Sequence, residues 1–191
     1  MIAPPCATCS RALRKPVRSH DYIYGLPNLS PINQQKVDNA NRCYQLAAKV
    51  AQALNKKQRP WIIENPHSSF MWHIPEIRDL FRLRGVRYVV IDQCMFGADW
   101  RKRTGLLCGN VEPEYFMDRA CRTKRGGICS RTGKPHIHLT GKDSDGVCRT
   151  AKAATYPHDF ADRLGNAIAT TIRMPWYRGL LERSKTQGTS P

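Results

Sequence analysis

The period of the apolar positions changes from one stretch of the chain to the next, and each change marks an element. Val37, Ala40, Tyr44, Ala47, Val50, Ala51 and Leu54 fall near a 3.6-residue period, which predicts a helix over 31–57 with one buried face. Ser30-Pro31 opens it with a capping hydroxyl and a proline at the first turn. Trp61-Ile62-Ile63-Glu64 is a short apolar run ended by Asn65-Pro66, the pattern of a buried strand running into a turn. Residues 75–84 read as a helix with Ile77, Leu80 and Phe81 inward, 86–91 as a second strand and 105–108 as a third. A last helix over 158–173 places Phe160, Leu164, Ile168 and Ile172 on one side. Strand, helix and strand after one long helix predict a layered α/β domain with a mainly parallel sheet.

The stretches between these elements divide the chain. Met1-Ile-Ala runs into Pro4-Pro5, which stops any inner strand because proline has no N–H and a fixed φ. Cys6 follows, in a loop that begins where a strand would end, and ligands of open α/β sheets bind at such ends. A buried structural thiol is the plain alternative. Residues 11–30 form a basic loop with Pro16, Gly25 and Pro27, long enough to close over a substrate. The expected organisation is a catalytic α/β core over 1–108, a small irregular subdomain over 109–150, a helical return to the core over 151–183 and a disordered tail over 184–191.

Composition narrows the function. The formal charge is +16, from 31 Lys+Arg against 15 Asp+Glu, a balance that points to an anionic partner, most often nucleic acid. No apolar run approaches the roughly 20 residues that cross a bilayer, and Met1 opens no basic and long-apolar leader. The expectation is therefore an intracellular chain without a membrane. In that setting the eight cysteines are read as metal ligands, catalytic groups or packing rather than disulfides.

Three loops carry the candidate chemistry. Cys6 follows the first apolar run, Glu64 ends the next, and Arg101 and Arg103 follow the third. In a parallel sheet all three loops share one edge, where a thiolate, a carboxylate and two guanidiniums would converge. Ala3-Pro-Pro-Cys6 with Ser10, Glu64-Asn65, Arg101-Lys-Arg103 and Arg163-Leu-Gly-Asn-Ala-Ile168 stand in the order of the motifs of the cytosine-5 DNA methyltransferases. Over residues 3–172 the chain resembles that family.

The resemblance implies a partial Rossmann-like methyltransferase sheet and a covalent mechanism. Cys6 would attack carbon 6 of a cytosine flipped from the duplex. Glu64 would hold the ring at N3 and the exocyclic amine, and Arg103, backed by Arg101, would contact the base carbonyl. S-adenosylmethionine would supply the methyl group beside Pro4, Pro5 and Asn166. Arg11, Arg14, Lys15 and Arg18 of the loop, with Arg122, Lys124 and Arg125 of a target-recognition region, would meet DNA phosphates. Such an enzyme works in a nucleus or nucleoid. The chain departs from the family at Asp99, Ala7 and Pro66, where glutamine, glutamine and valine are usual. It also lacks the family's glycine-rich cofactor half, so the expectation is a truncated copy or a split enzyme completed by a second chain. A non-catalytic basic remnant that binds nucleic acid is the competing reading. A zinc deaminase is a weaker third: Pro5-Cys6-Ala-Thr-Cys9 matches half of its signature, but the sequence has no His-x-Glu pair.

A second candidate site lies in 109–150. Cys121, Cys129, His136 and His138 offer four ligands for tetrahedral zinc in a region of little apolar content. Incidental cysteines and histidines in a loop are the plain alternative. The charge alone generates one measurable expectation: duplex-DNA affinity should fall by roughly 10³-fold or more as salt rises from about 50 to about 200 mM. A flat titration by fluorescence anisotropy would exclude extensive phosphate contact.

Overall fold

The computed structural model describes residues 1–11, 13–111, 119–123, 127–174 and 177. The long helix α1 (Pro31–Lys56) is followed by β1 (Trp61–Pro66), a short α2 (Pro75–Leu80), β2 (Val86–Asp92) and β3 (Arg103–Gly109). A single turn α3 (Arg149–Lys152) and α4 (His158–Arg173) close the described chain.

The strands are ordered β1-β3-β2, and β3 is antiparallel to both neighbours. This corrects the expected mainly parallel, Rossmann-like sheet. β2 and β3 are joined only by residues 93–102, and a parallel crossover needs roughly a dozen residues or more. The chain therefore turns back on itself. β1 and β2 do run in the same direction, but β3 fills the gap between them. The strand expected ahead of Cys6 is a single parallel bridge, Ile2 to Ile63. Ile2 N–H donates to Ile62 at 2.8 Å and Glu64 N–H donates to the Ile2 carbonyl at 3.0 Å.

Alternation along the strands sends side chains to two cores. Trp61, Ile63 and Leu107 pack with Tyr44, Ala47 and Ala51 of α1 and with Ile77 and Leu80 of α2. Ile62, Leu106 and Cys108 pack on the other face with Phe160, Leu164 and Ala167 of α4. The sheet is thus covered by helices on both sides. Three residues expected inside lie at the surface: Val50, Phe81 and Ile172. Each sits at the margin of its apolar stripe, where the period alone does not set the limit of contact. Ser30 makes no side-chain cap; its carbonyl accepts the Gln34 N–H instead.

The loop over 11–30 is fastened to the helices. Arg18 is 2% exposed and donates to the Ile23 and Val37 carbonyls, Asn41 Oδ1 and Thr8 Oγ1. Tyr24 donates to Glu76 of α2, and Asn41 of α1 donates to the Tyr24 carbonyl. Residues 127–148 hold together through the isolated bridges Ile128–Pro135 and Lys142–Cys148. Among the described residues no helix is long and apolar enough to cross a membrane. The expected tail over 184–191 lies outside the described residues.

Two glycines separate packing from propensity. A Cβ on Gly109 would run into the indole of Trp61, whereas one on Gly165, inside α4, would meet nothing. Gly109→Ala should cost roughly 1–3 kcal/mol through overpacking, and Gly165→Ala should gain about 0.4–1 kcal/mol. Urea midpoints that move in these opposite directions, with unchanged slopes, are the expected result.

Candidate functional site

One end of the sheet gathers the end of β1, the start of β3 and the turn that follows Pro4-Pro5. Cys6 precedes the 3-10 turn Ala7–Cys9 and is exposed. The turn is pinned from below. Tyr44 of α1 donates to the Pro5 carbonyl at 2.6 Å, and Asn65 Nδ2 donates to the Pro4 carbonyl at 2.9 Å. Glu64 shares the sheet face of Ile62 and Leu106 and is 5% exposed. Its Oε2 accepts the Tyr156 hydroxyl at 2.6 Å. Oε1 has no hydrogen-bond partner among the described residues.

Burial pushes the Glu64 carboxyl above the usual carboxylate range; the Tyr156 hydrogen bond and the positive charge of Lys102 oppose the shift. Tyr156 is pushed up in turn, by burial first, then by the charge of and hydrogen bond to Glu64, and by the charge of Cys6. The Tyr156 hydroxyl thus lies within electrostatic reach of both Glu64 and Cys6. Lys102 leans over the Tyr156 ring at 5.9 Å and donates to the Ala153 carbonyl at 3.0 Å.

The two arginines expected beside Glu64 are placed elsewhere. Arg101 lies 3.1 Å from Asp92 Oδ1, and also donates to Asp92 Oδ2 and to the Cys121 carbonyl. Its role is to hold the connection after β2. Arg103 begins β3 on the side of Gly105 and Leu107, opposite to Glu64, and its charge acts on His67 and Tyr88. The cation next to Glu64 is Lys102. A strand's alternation explains the exchange, because residues 102 and 103 must leave opposite faces. Of the residues expected at the cofactor, Asn166 is exposed on α4, and the Pro4 and Pro5 carbonyls are already engaged.

The candidate DNA contacts also divide. Arg18 is a buried clamp and cannot reach a phosphate. Arg11 is exposed, with a bond to His20 at 2.9 Å and its guanidinium over Phe70. Arg14 and Lys15, with Lys36 of α1, line a groove of about 490 Å³ that runs past Ala7 and Thr8, next to Cys6. Arg122 is exposed. Lys124 and Arg125 lie outside the described residues.

The second site is a cluster of three cysteines and one histidine. The ligand atoms of Cys94, Cys121, Cys129 and His136 all lie within 4.8 Å of one another. Cys94 takes the corner expected for His138, which is exposed and outside the cluster. Cys94 comes from the 3-10 turn Gln93–Phe96 directly after β2. Cys121 is held by its N–H, which donates to Asp92 Oδ2 at 2.7 Å. Burial raises the Cys121 thiol, but hydrogen bonds from Thr123, Ser130 and Cys94 overcome it and hold the thiol at about 6. Burial likewise opposes, and Thr132, Arg131 and His136 produce, a lowered Cys129. Cys94 is pushed up, by burial first and then by the two neighbouring sulfurs. A Cys3His set of this compactness is compatible with a bound metal ion.

Sequence reasoning missed Tyr156, Lys102 and Asp92. Tyr156 carries no signal in its own stretch, because it meets Glu64 only when α4 folds back on the sheet. Cys94 was visible as a cysteine, but no spacing rule connects it to Cys121. No family model, curated protein or solved structure matches this chain.

The Glu64 site has a pH signature. A carboxyl raised in the folded state favours folding below its ordinary value, and that contribution is lost as pH rises through the raised value. Glu64→Gln should therefore remove a decline in stability that sets in as pH rises above the ordinary carboxyl value. Tyr156→Phe removes a bond that favours the carboxylate, so it should move the decline to higher pH. Urea unfolding measured as pH rises checks both; profiles parallel to the unaltered protein would contradict the burial argument.

Proposed function

We propose that this chain carries the base-activating site of a cytosine-5 DNA methyltransferase. The observation that supports this reading is a buried, raised carboxyl with one oxygen unpartnered among the described residues, and an exposed thiol at the same sheet end. An extruded cytosine is a ligand that uses both groups. The Cys6 thiolate adds to carbon 6, and the new S–C6 bond pushes electrons through carbon 5 and carbon 4 onto N3. Glu64, whose burial favours the protonated carboxyl, gives N3 its proton. Its free oxygen accepts from the exocyclic amine. Carbon 5 is then the nucleophile that takes the methyl group; loss of its proton to a base re-forms the C5–C6 double bond and expels the Cys6 thiolate, and N3 returns its proton to Glu64. Tyr156 orients Glu64, and Lys102 supplies positive charge at its side.

The described residues do not by themselves fit S-adenosylmethionine. Asn166 faces solvent, the proline carbonyls are taken, and no glycine-rich strand–loop–helix occurs in the sequence. In this reading the donor of the methyl group is S-adenosylmethionine held by a partner segment or a second chain. DNA lies along the groove of Arg14, Lys15 and Lys36, whose cations suit phosphates. The Cys3His cluster takes no part in the chemistry.

A duplex carrying 5-fluorocytosine tests the proposal, because the fluorine cannot leave as a cation and the methylated adduct stays on the cysteine. Trapping is expected when a cofactor-binding half and S-adenosylmethionine are supplied. Cys6→Ser should abolish it, since a hydroxyl is a far poorer nucleophile than a thiolate. Glu64→Gln should slow it by roughly 100-fold or more. Cys43→Ser, an exposed thiol on α1, should leave it intact. Tight DNA binding without adduct would leave a nucleic-acid-binding protein with no methyl transfer.

A further inference from the structure

The cluster of Cys94, Cys121, Cys129 and His136 has the dimensions of a closed metal site. A zinc–sulfur bond of about 2.3 Å and a zinc–nitrogen bond of about 2.05 Å place tetrahedral ligands roughly 3.6–3.8 Å apart. Cys121 Sγ and His136 Nε2 are 3.7 Å apart, and the widest spacing in the set is within 4.8 Å. Backbone hydrogen bonds bring the ligands together. Cys129 N–H donates to the Lys134 carbonyl and Gly133 N–H to the Cys129 carbonyl, which closes a tight turn. His136 N–H donates to the Gly127 carbonyl, so the turn delivers both residues to one side. Ser130 N–H points at Cys121 Sγ at 3.4 Å, the kind of outer bond that orients a ligand.

The surroundings favour zinc and a structural role. Three thiolates and one imidazole suit a soft-to-borderline tetrahedral ion. Four protein ligands leave no open position for substrate or water. The loaded site keeps one net negative charge, and Arg101 and Arg131 stand next to it through the Cys121 and Cys94 carbonyls. The described part of the segment over 119–138 has little apolar packing of its own. The three cysteines, with Met95 against them, form its only buried cluster among the described residues.

We propose that Cys94, Cys121, Cys129 and His136 Nε2 bind one zinc ion, which fastens residues 119–123 and 127–138 to the connection between β2 and β3. The inference does not depend on methyl transfer, and its test reads metal and thiols rather than activity. The full chain, purified under reducing conditions, should contain one zinc per molecule by elemental analysis. Cobalt substitution should give the intense visible bands of a tetrahedral ion and a thiolate charge-transfer band. Cys94→Ser should weaken zinc in a chelator competition by at least the roughly 100-fold that loss of an outer partner can cost, while His138→Ala and Cys148→Ser should leave it unchanged. Differential alkylation of the unaltered protein covers the case in which Cys94→Ser does not fold. Cys94, Cys121 and Cys129 should become reactive only after chelation, whereas Cys9 and Cys108 stay protected in the sheet cores. Absence of zinc with all thiols reduced, an octahedral cobalt spectrum, alkylation unaffected by chelator, or zinc lost on His138→Ala but not Cys94→Ser would each overturn the assignment.

Discussion

Asp92 is the point on which the two sites depend. It ends β2 with 1% exposure, and a carboxylate so placed is costly unless paired and hydrogen-bonded. Arg101 supplies the charge and Cys121 N–H a further donor. These contacts close the connection over 93–102 and set where β3 begins. They also carry the cysteine segment to the sheet. Removal of the carboxylate would leave the Arg101 bond to the Cys121 carbonyl as the direct link between the two.

Three consecutive residues then serve three regions. Arg101 turns to Asp92 and the cysteine cluster, Lys102 to Glu64 and Tyr156, and Arg103 to the face of Tyr88. The metal-ligand cluster and the Glu64 site are thus separate in chemistry but share one short piece of backbone. A loose cysteine segment would disturb the position of Lys102 without touching Glu64.

The parts of this arrangement that are legible in the sequence are those fixed by local period. The apolar stripe from Val37 to Leu54 defines α1, and the run Trp61–Glu64 defines β1. Cys6 and Glu64 each stand at an apolar run bounded by proline, which marks both as strand-end positions. The pairing of strands is not readable in this way. β3 slides between β1 and β2 through contacts distant in sequence, and a run of apolar residues looks the same whether its neighbours are parallel or antiparallel. Arg101 and Arg103 were assigned from a motif, whereas Asp92 and strand alternation decide where their side chains go. Cys94 replaces His138 for the same reason: proximity in the fold outranks spacing along the chain.

Arg18 gives the molecule a property that its surface cations lack. All of its described hydrogen bonds go to neutral oxygens, and its guanidinium lies over the Tyr44 ring. A positive charge set below the turn at Ala7–Cys9 in a low-dielectric interior projects a potential that mobile ions reach poorly. Surface arginines and lysines lose their pull beyond a Debye length of about 8 Å at physiological ionic strength. The field of Arg18 is screened less within the interior, so its pull on the buried Cys9 beneath the Pro-Pro-Cys turn depends less on salt than that of the surface cations.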